Sequence, residues 1–221
     1  MANSTNELIG HLEPDLVDKL TTTRRGLFLS NIKALGSLAT APLVLAATAQ
    51  EVFAKGNLPR NIVEVLNFAL TLEYIEDAFY RTGLKNGVVP QRYQAVFHTI
   101  SRHETAHVAF LKGALGGAAV KPPKADFTAG GKYADVFRNF KTFLTLSQTF
   151  EDLGVAAYKG QAANLQGNAA ILTAALQIHS VEARHAAEVR RIGGKKAWSG
   201  AFDEPKSKNE VLAAVKPFLK S

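Results

Sequence analysis

The chain has 221 residues, 47% hydrophobic and 20% charged, which suits one globular domain with an appendage. It has no cysteine, which excludes disulfide frameworks, zinc ribbons, iron–sulfur clusters and thiol nucleophiles. The net charge of +7 raises the question of nucleic acid, but the lysines are scattered (121 and 124, 195 and 196, 206 and 208, 216 and 220) with few aromatics between them, so a solvated basic surface without a nucleic-acid partner is expected.

Residues 1–49 differ in kind from the rest. A polar stretch leads to Thr23-Arg24-Arg25-Gly26-Leu27-Phe28-Leu29, then to a mildly apolar run that closes on Ala47-Thr48-Ala49. A membrane span needs roughly 20 predominantly apolar residues, and Asn31 and Lys33 interrupt this one, so no stable transmembrane span is expected. Paired arginines, a mild apolar region and a small-x-small end match a twin-arginine export signal, which predicts a periplasmic or exported protein. Residues 50–221 are then the folded domain, with a C-terminal tail over 193–221.

Apolar residues beyond 57 recur at intervals of three and four, and the fold class is all-α. A first helix is predicted over 59–81, with Asn57 as a cap, Pro59 in its first turn and Gly83 past its end. A second is predicted over 90–114. The Pro- and Gly-rich segment 116–132 reads as a loop. A third helix is predicted over 133–163 and a fourth over 169–192, stopped by Gly193-Gly194. A short amphipathic helix near 209–219 closes the tail. Four long helices point to a bundle of two αα-hairpins.

Each helix carries a carboxylate in the middle of its apolar stripe: Glu73, Glu104, Glu151 and Glu182. An isolated ionised carboxylate there costs several kcal/mol, so it must be paired or bound to a metal. Glu104 and His107 form one Glu-x-x-His, and Glu182 and His185 form another. Glu73, Glu104 and His107 map onto Glu151, Glu182 and His185 by one shift of 78 residues, and Tyr80 maps onto Tyr158 by the same shift. Folding each half at its turn sets a Glu opposite a Glu-x-x-His at one height. Four carboxylates and two imidazoles are the ligand set of a dinuclear site in a helical bundle. Oxygen and nitrogen donors without sulfur suit two iron or manganese ions, with zinc able to enter in a preparation. Glu104 and Glu182 are expected to bridge, Glu73 and Glu151 to be terminal, and His107 and His185 to hold one ion each.

The segments Leu66–Tyr74, His103-Glu104-Thr105-Ala106-His107, Phe150–Tyr158 and Glu182-Ala183-Arg184-His185 resemble the ferritin-like superfamily, most of all its branch of exported, desiccation-related proteins. The resemblance covers about residues 58–220. It implies a four-helix bundle with a long crossover between the second and third helices, a short C-terminal helix, and a homo-oligomer, taken here as a dimer. The loop permits that crossover: a 25-residue helix is about 38 Å long, and 17 extended residues span about 56 Å.

Four further residues are candidates for a second layer around the metals. Tyr80 and Tyr158 are expected to bond the opposite carboxylates, or to act as redox phenols. Glu76 and Asp77 are candidates for an extra ligand or for accepting a histidine proton, and position 154, the counterpart of Glu76, is glycine. His103 is read as an ordinary residue pointing elsewhere, and His179 as a buried, hydrogen-bonded histidine. The function expected is an oxidoreductase-type metal protein that takes O2 or peroxide in oxidative or desiccation stress: ferroxidase, catalase-like or peroxidase-like. Two alternatives stay open, a protective protein whose metals only staple the bundle, and iron storage.

Overall fold

A computed structural model describes residues 58–198 and 200–220. The segment expected to be an export signal and Asn57 lie outside the described residues. The helices are α1 Arg60–Lys85, α2 Gln94–Leu115, α3 Phe140–Gln161, α4 Ala169–Ile192 and α5 Lys208–Val215, and the described residues contain no strand. No described helix is long and apolar enough to cross a membrane.

Local chemistry sets the ends. Pro59 precedes α1 with its ring-fixed φ of −54°. α1 runs through Gly83 to Lys85, a turn beyond the expected end. Glycine is tolerated there because the Phe143 ring lies where a Cβ would project. The chain then turns at Gly87, whose φ of 68° favours glycine. α3 starts at Phe140 rather than at 133. Residues before it close tight turns instead, as Val136 N–H donates to the Tyr133 carbonyl and Arg138 N–H to that of Asp135. Asn139 then caps the helix, its side chain accepting from Lys141 N–H at 3.0 Å. α3 also ends earlier than expected, passing at Gln161 into a 3₁₀ turn, Ala162–Leu165. Asn168 caps α4 in the same way as Asn139, through Ile171 N–H at 3.1 Å. Ser207 and Glu210 form a capping box at the start of α5.

The bundle buries two apolar clusters, one at each end. Phe79, Tyr80, Phe97, Phe143 and Phe150 belong to the first; Leu66, Leu70, Leu111, Tyr158 and Ile171 belong to the second. α1 passes from the second cluster to the first, α2 from the first to the second, α3 likewise, and α4 back again. α2 and α3 therefore run in the same direction, and the chain between them must return the length of the bundle. This is the long crossover. It is pinned to the C terminus by an antiparallel bridge between Ala125 and Leu219, with Asp126 N–H donating to the Phe218 carbonyl at 2.7 Å. Burying each large apolar side chain contributes roughly 1.5–3 kcal/mol. That burial holds the four ligand-bearing helices together while the layer between the clusters is polar.

Candidate metal centre

Glu73, Glu104, Glu151 and Glu182 are all fully buried between the two clusters, and His107 and His185 are buried beside them. They form two groups whose ligand atoms lie within 4.8 Å of one another: Glu73, Glu104, His107 and Glu182 in one, Glu104, Glu151, Glu182 and His185 in the other. Each group can hold a metal ion. Glu104 and Glu182 belong to both.

The two halves mirror each other atom by atom. His107 Nδ1 faces Glu73 Oε2 at 3.2 Å, Glu104 Oε2 at 3.2 Å and Glu182 Oε1 at 3.0 Å. His185 Nδ1 faces Glu104 Oε1 at 3.0 Å, Glu151 Oε2 at 3.3 Å and Glu182 Oε2 at 3.9 Å. Glu104 and Glu182 thus turn one oxygen to each group, as bridging carboxylates do. The outer oxygens of the other two acids are held by phenols from the opposite hairpin: Tyr80 donates to Glu151 Oε1, and Tyr158 to Glu73 Oε1. Each of these acids is left with its Oε2 pointing inward.

A metal fits this arrangement. Glu104 Oε1, Glu151 Oε2, both oxygens of Glu182 and His185 Nδ1 are buried with no hydrogen-bond partner among the described residues. Such orphans are rare in folded proteins, and here they all face one small volume. Oxygen and imidazole donors without sulfur suit iron or manganese.

The electrostatics describe the same layer with protons in place of metal charge. Burial pushes Glu73 up to about 7, against the pull of the His107 charge. Burial, reinforced by the Glu104 charge, holds Glu182 well above the carboxylate range. Burial opposes the charging of His185, but Glu151, Glu104 and Glu182 override it and lift the imidazole to about 11. His107 is likewise raised well above its usual value against its own burial, by Glu73 and Glu104. Glu104 moves the other way: burial raises it, but the charge and hydrogen bond of His107, with the charge of His185 beside them, win and keep it ionised.

The remaining candidates separate. Glu76 is buried, and burial together with the Glu182 charge raises it well above its usual value. It has room because position 154 is glycine: a Cβ there would sit 3.3 Å from both Glu76 Oε1 and Glu182 Oε2. Asp77 joins neither group. Arg81 binds both its oxygens, at 3.0 and 2.7 Å, and Thr105 donates to it at 2.7 Å. His179 is half-buried and its Nε2 finds no hydrogen-bond partner among the described residues, contrary to the expectation of a hydrogen-bonded side chain.

His103 corrects the sequence reading. It does not point elsewhere: its Nδ1 lies 2.9 Å from His185 Nε2, with the ring planes 17° apart. When His185 donates from Nε2, His103 accepts, and His185 Nδ1 is the atom left facing the carboxylates. One residue along a helix is a 100° rotation, which carries His103 off the ligand stripe but onto the face that meets α4. The spacing between α2 and α4, which lets the two rings meet, is not written in the local period.

A search of curated proteins finds no match to the chain. A family model described as the ferritin-like domain matches residues 61–195, more than half of the chain and all six residues of the two groups. With the helical bundle and its buried acidic centre, this match establishes that the chain belongs to the ferritin-like domain family.

Proposed function

We propose that Glu73, Glu104, His107, Glu151, Glu182 and His185 hold two iron or manganese ions, and that the protein is an oxidoreductase acting on dioxygen or peroxide. The sharing of Glu104 and Glu182 between two ligand groups carries this reading. When bound, two redox ions supply the two electrons that convert dioxygen to peroxide, or peroxide to water. The protein's part is positional. Tyr80 and Tyr158 fix the outer oxygens of Glu151 and Glu73, so that each acid offers one oxygen inward. His103 orients His185. The apolar clusters on both sides keep bulk water from the layer. Without cysteine the chain has no thiolate-bound electron relay, so a peroxidase cycle needs an external donor.

Arg24-Arg25 and Ala47-Thr48-Ala49 support export through the twin-arginine route, and with it a role in defence against oxidative or desiccation stress outside the cytoplasm. We take a homodimer as the working assembly, to be checked by light scattering. The test of the function is reconstitution with Fe(II) or Mn(II), two ions per chain, followed by measurement of dioxygen and peroxide consumption. Two bound ions and turnover of either oxidant support the proposal. Tight binding of two ions without consumption of either would leave only the stapling role. The export reading is tested separately: Arg24→Lys with Arg25→Lys should leave folded protein in the cytoplasm, and its continued export would refute the signal.

A further inference from the structure

The two ends of the bundle are packed differently. The end that holds Phe79, Phe97, Phe143 and Phe150 is filled by stacked and edge-to-face rings, such as Phe79 on Phe143 with centroids 4.7 Å apart. The opposite end is built mainly from leucine, isoleucine and alanine, and it leaves a cavity of about 20 Å³ between all four long helices. Ala69, Leu111, Ala114, Tyr158, Ala175 and Ile178 are among its walls, and all of them are buried.

The position of this cavity is set by the helical period. Ala69 lies four residues before Glu73, Leu111 four after His107, and Ile178 four before Glu182. One turn is about 5.4 Å, so the cavity lies one turn along the bundle axis from the carboxylate layer. The wall between them includes Tyr158, whose hydroxyl is bonded to Glu73. The rest of the lining is almost wholly apolar. Apart from the tyrosine, Gln161 is the one polar side chain that lines it among the described residues, and the oxygen of that amide already accepts from Asn164 at 2.9 Å.

We propose that this cavity is a binding site for dioxygen beside the metal centre, and that dioxygen rather than peroxide is the oxidant. The inference rests on the reading of the centre as redox-active and chooses between the two oxidants left open there. A cavity of this size admits a molecule as small as water or a diatomic gas, and an apolar one stays dry and takes up apolar guests. Dioxygen has no hydrogen bonds to lose on entering. Hydrogen peroxide would strip two hydroxyls of water with almost nothing to replace it, a penalty that dioxygen does not meet.

Xenon is the probe, because it binds apolar cavities whether or not metal is present. Metal-free protein under xenon pressure should show one occupied site against Tyr158, seen by crystallography or by xenon NMR. Ala175→Leu should fill the cavity and abolish that site. Ala114→Val, a smaller change, should weaken it if the leucine variant folds poorly. In Fe(II)-loaded protein the same variants should slow oxidation by dioxygen several-fold and leave oxidation by peroxide unchanged. No xenon in the wild-type cavity, or a filled cavity with an undiminished dioxygen rate, overturns the gas site. Xenon bound in the cavity of a protein whose reconstituted centre consumes no dioxygen overturns the functional reading instead. A variant slowed equally toward both oxidants overturns the choice of dioxygen.

Discussion

Metal-free protein should lose stability as the pH rises, and loading the centre with metal should cancel the effect. In the metal-free layer His185 is lifted to about 11, whereas an imidazole in the unfolded chain titrates near about 6.5. Between pH 7 and pH 9 the fold therefore keeps a proton that the unfolded chain has lost. Each such proton lowers stability by about 1.4 kcal/mol per pH unit, so His185 alone removes about 3 kcal/mol over that window. His107, Glu182 and Glu76, all raised well above their ordinary values, act in the same direction. Two histidines act oppositely: His103 and His179 are held down mainly by burial. Their effect belongs to the range below about pH 6.5, where the unfolded imidazole is charged. Glu104 is ionised in both states throughout the window. For a domain of this size 1 kcal/mol moves Tm by about 2–4 °C, so the melting point should fall by about 6 °C or more.

A metal held by these residues would take the place of the proton on each inward nitrogen, and its affinity should rise with pH because the ligands must shed protons to bind it. Circular-dichroism melts of chelator-treated and metal-loaded protein at pH 7 and pH 9 read the difference directly. A metal-free Tm that is unchanged or higher at pH 9 would refute the reasoning. So would the same fall with metal bound.

Substitutions at three positions test particular contacts. His103→Phe removes the acceptor for His185 and should weaken metal binding about 10–100-fold, the range for lost outer partners of ligand histidines. His103→Asn, which restores an oxygen close to the same place, should recover most of that loss in a chelator competition titration; no recovery would mean that packing, not the hydrogen bond, matters. Gly154→Ala puts a methyl 3.3 Å from Glu76 and Glu182 and should cost about 1–3 kcal/mol and lower the metal bound per chain, and full two-metal loading would contradict this. At Gly160 a methyl would meet the Lys206 carbonyl, beside the bond from Lys206 N–H to the Ala156 carbonyl at 3.0 Å. Gly160→Ala should therefore release the tail and speed proteolytic cleavage within 195–206, with a stability loss of about 1–3 kcal/mol.

The all-α class and the residues that come together in the candidate centre could be read in the sequence because both are local. A carboxylate inside an apolar stripe declares itself through the 3.6-residue period, and a single shift of 78 residues relates the two hairpins. The phenol of each hairpin was placed by the same arithmetic, since Tyr80 and Tyr158 obey that shift. What the sequence left open depends on contacts between residues far apart in the chain. The start of α3 at Phe140 follows from the folded crossover before it, where turn bonds and the Asn139 cap outcompete a helical period that already runs from Tyr133. Asp77 and Glu76 are neighbours on one helix, yet one is bound outward by Arg81 and Thr105 and the other is buried inward over Gly154. His103 meets His185 across 82 positions, and the distance between α2 and α4 alone determines whether the two rings touch. The cavity is likewise a property of packing: stacked rings fill one end of the bundle, while a gap stays among the aliphatic side chains and the Phe68, Phe110 and Tyr158 rings nearer the other, and that volume exists only once four helices have been brought side by side.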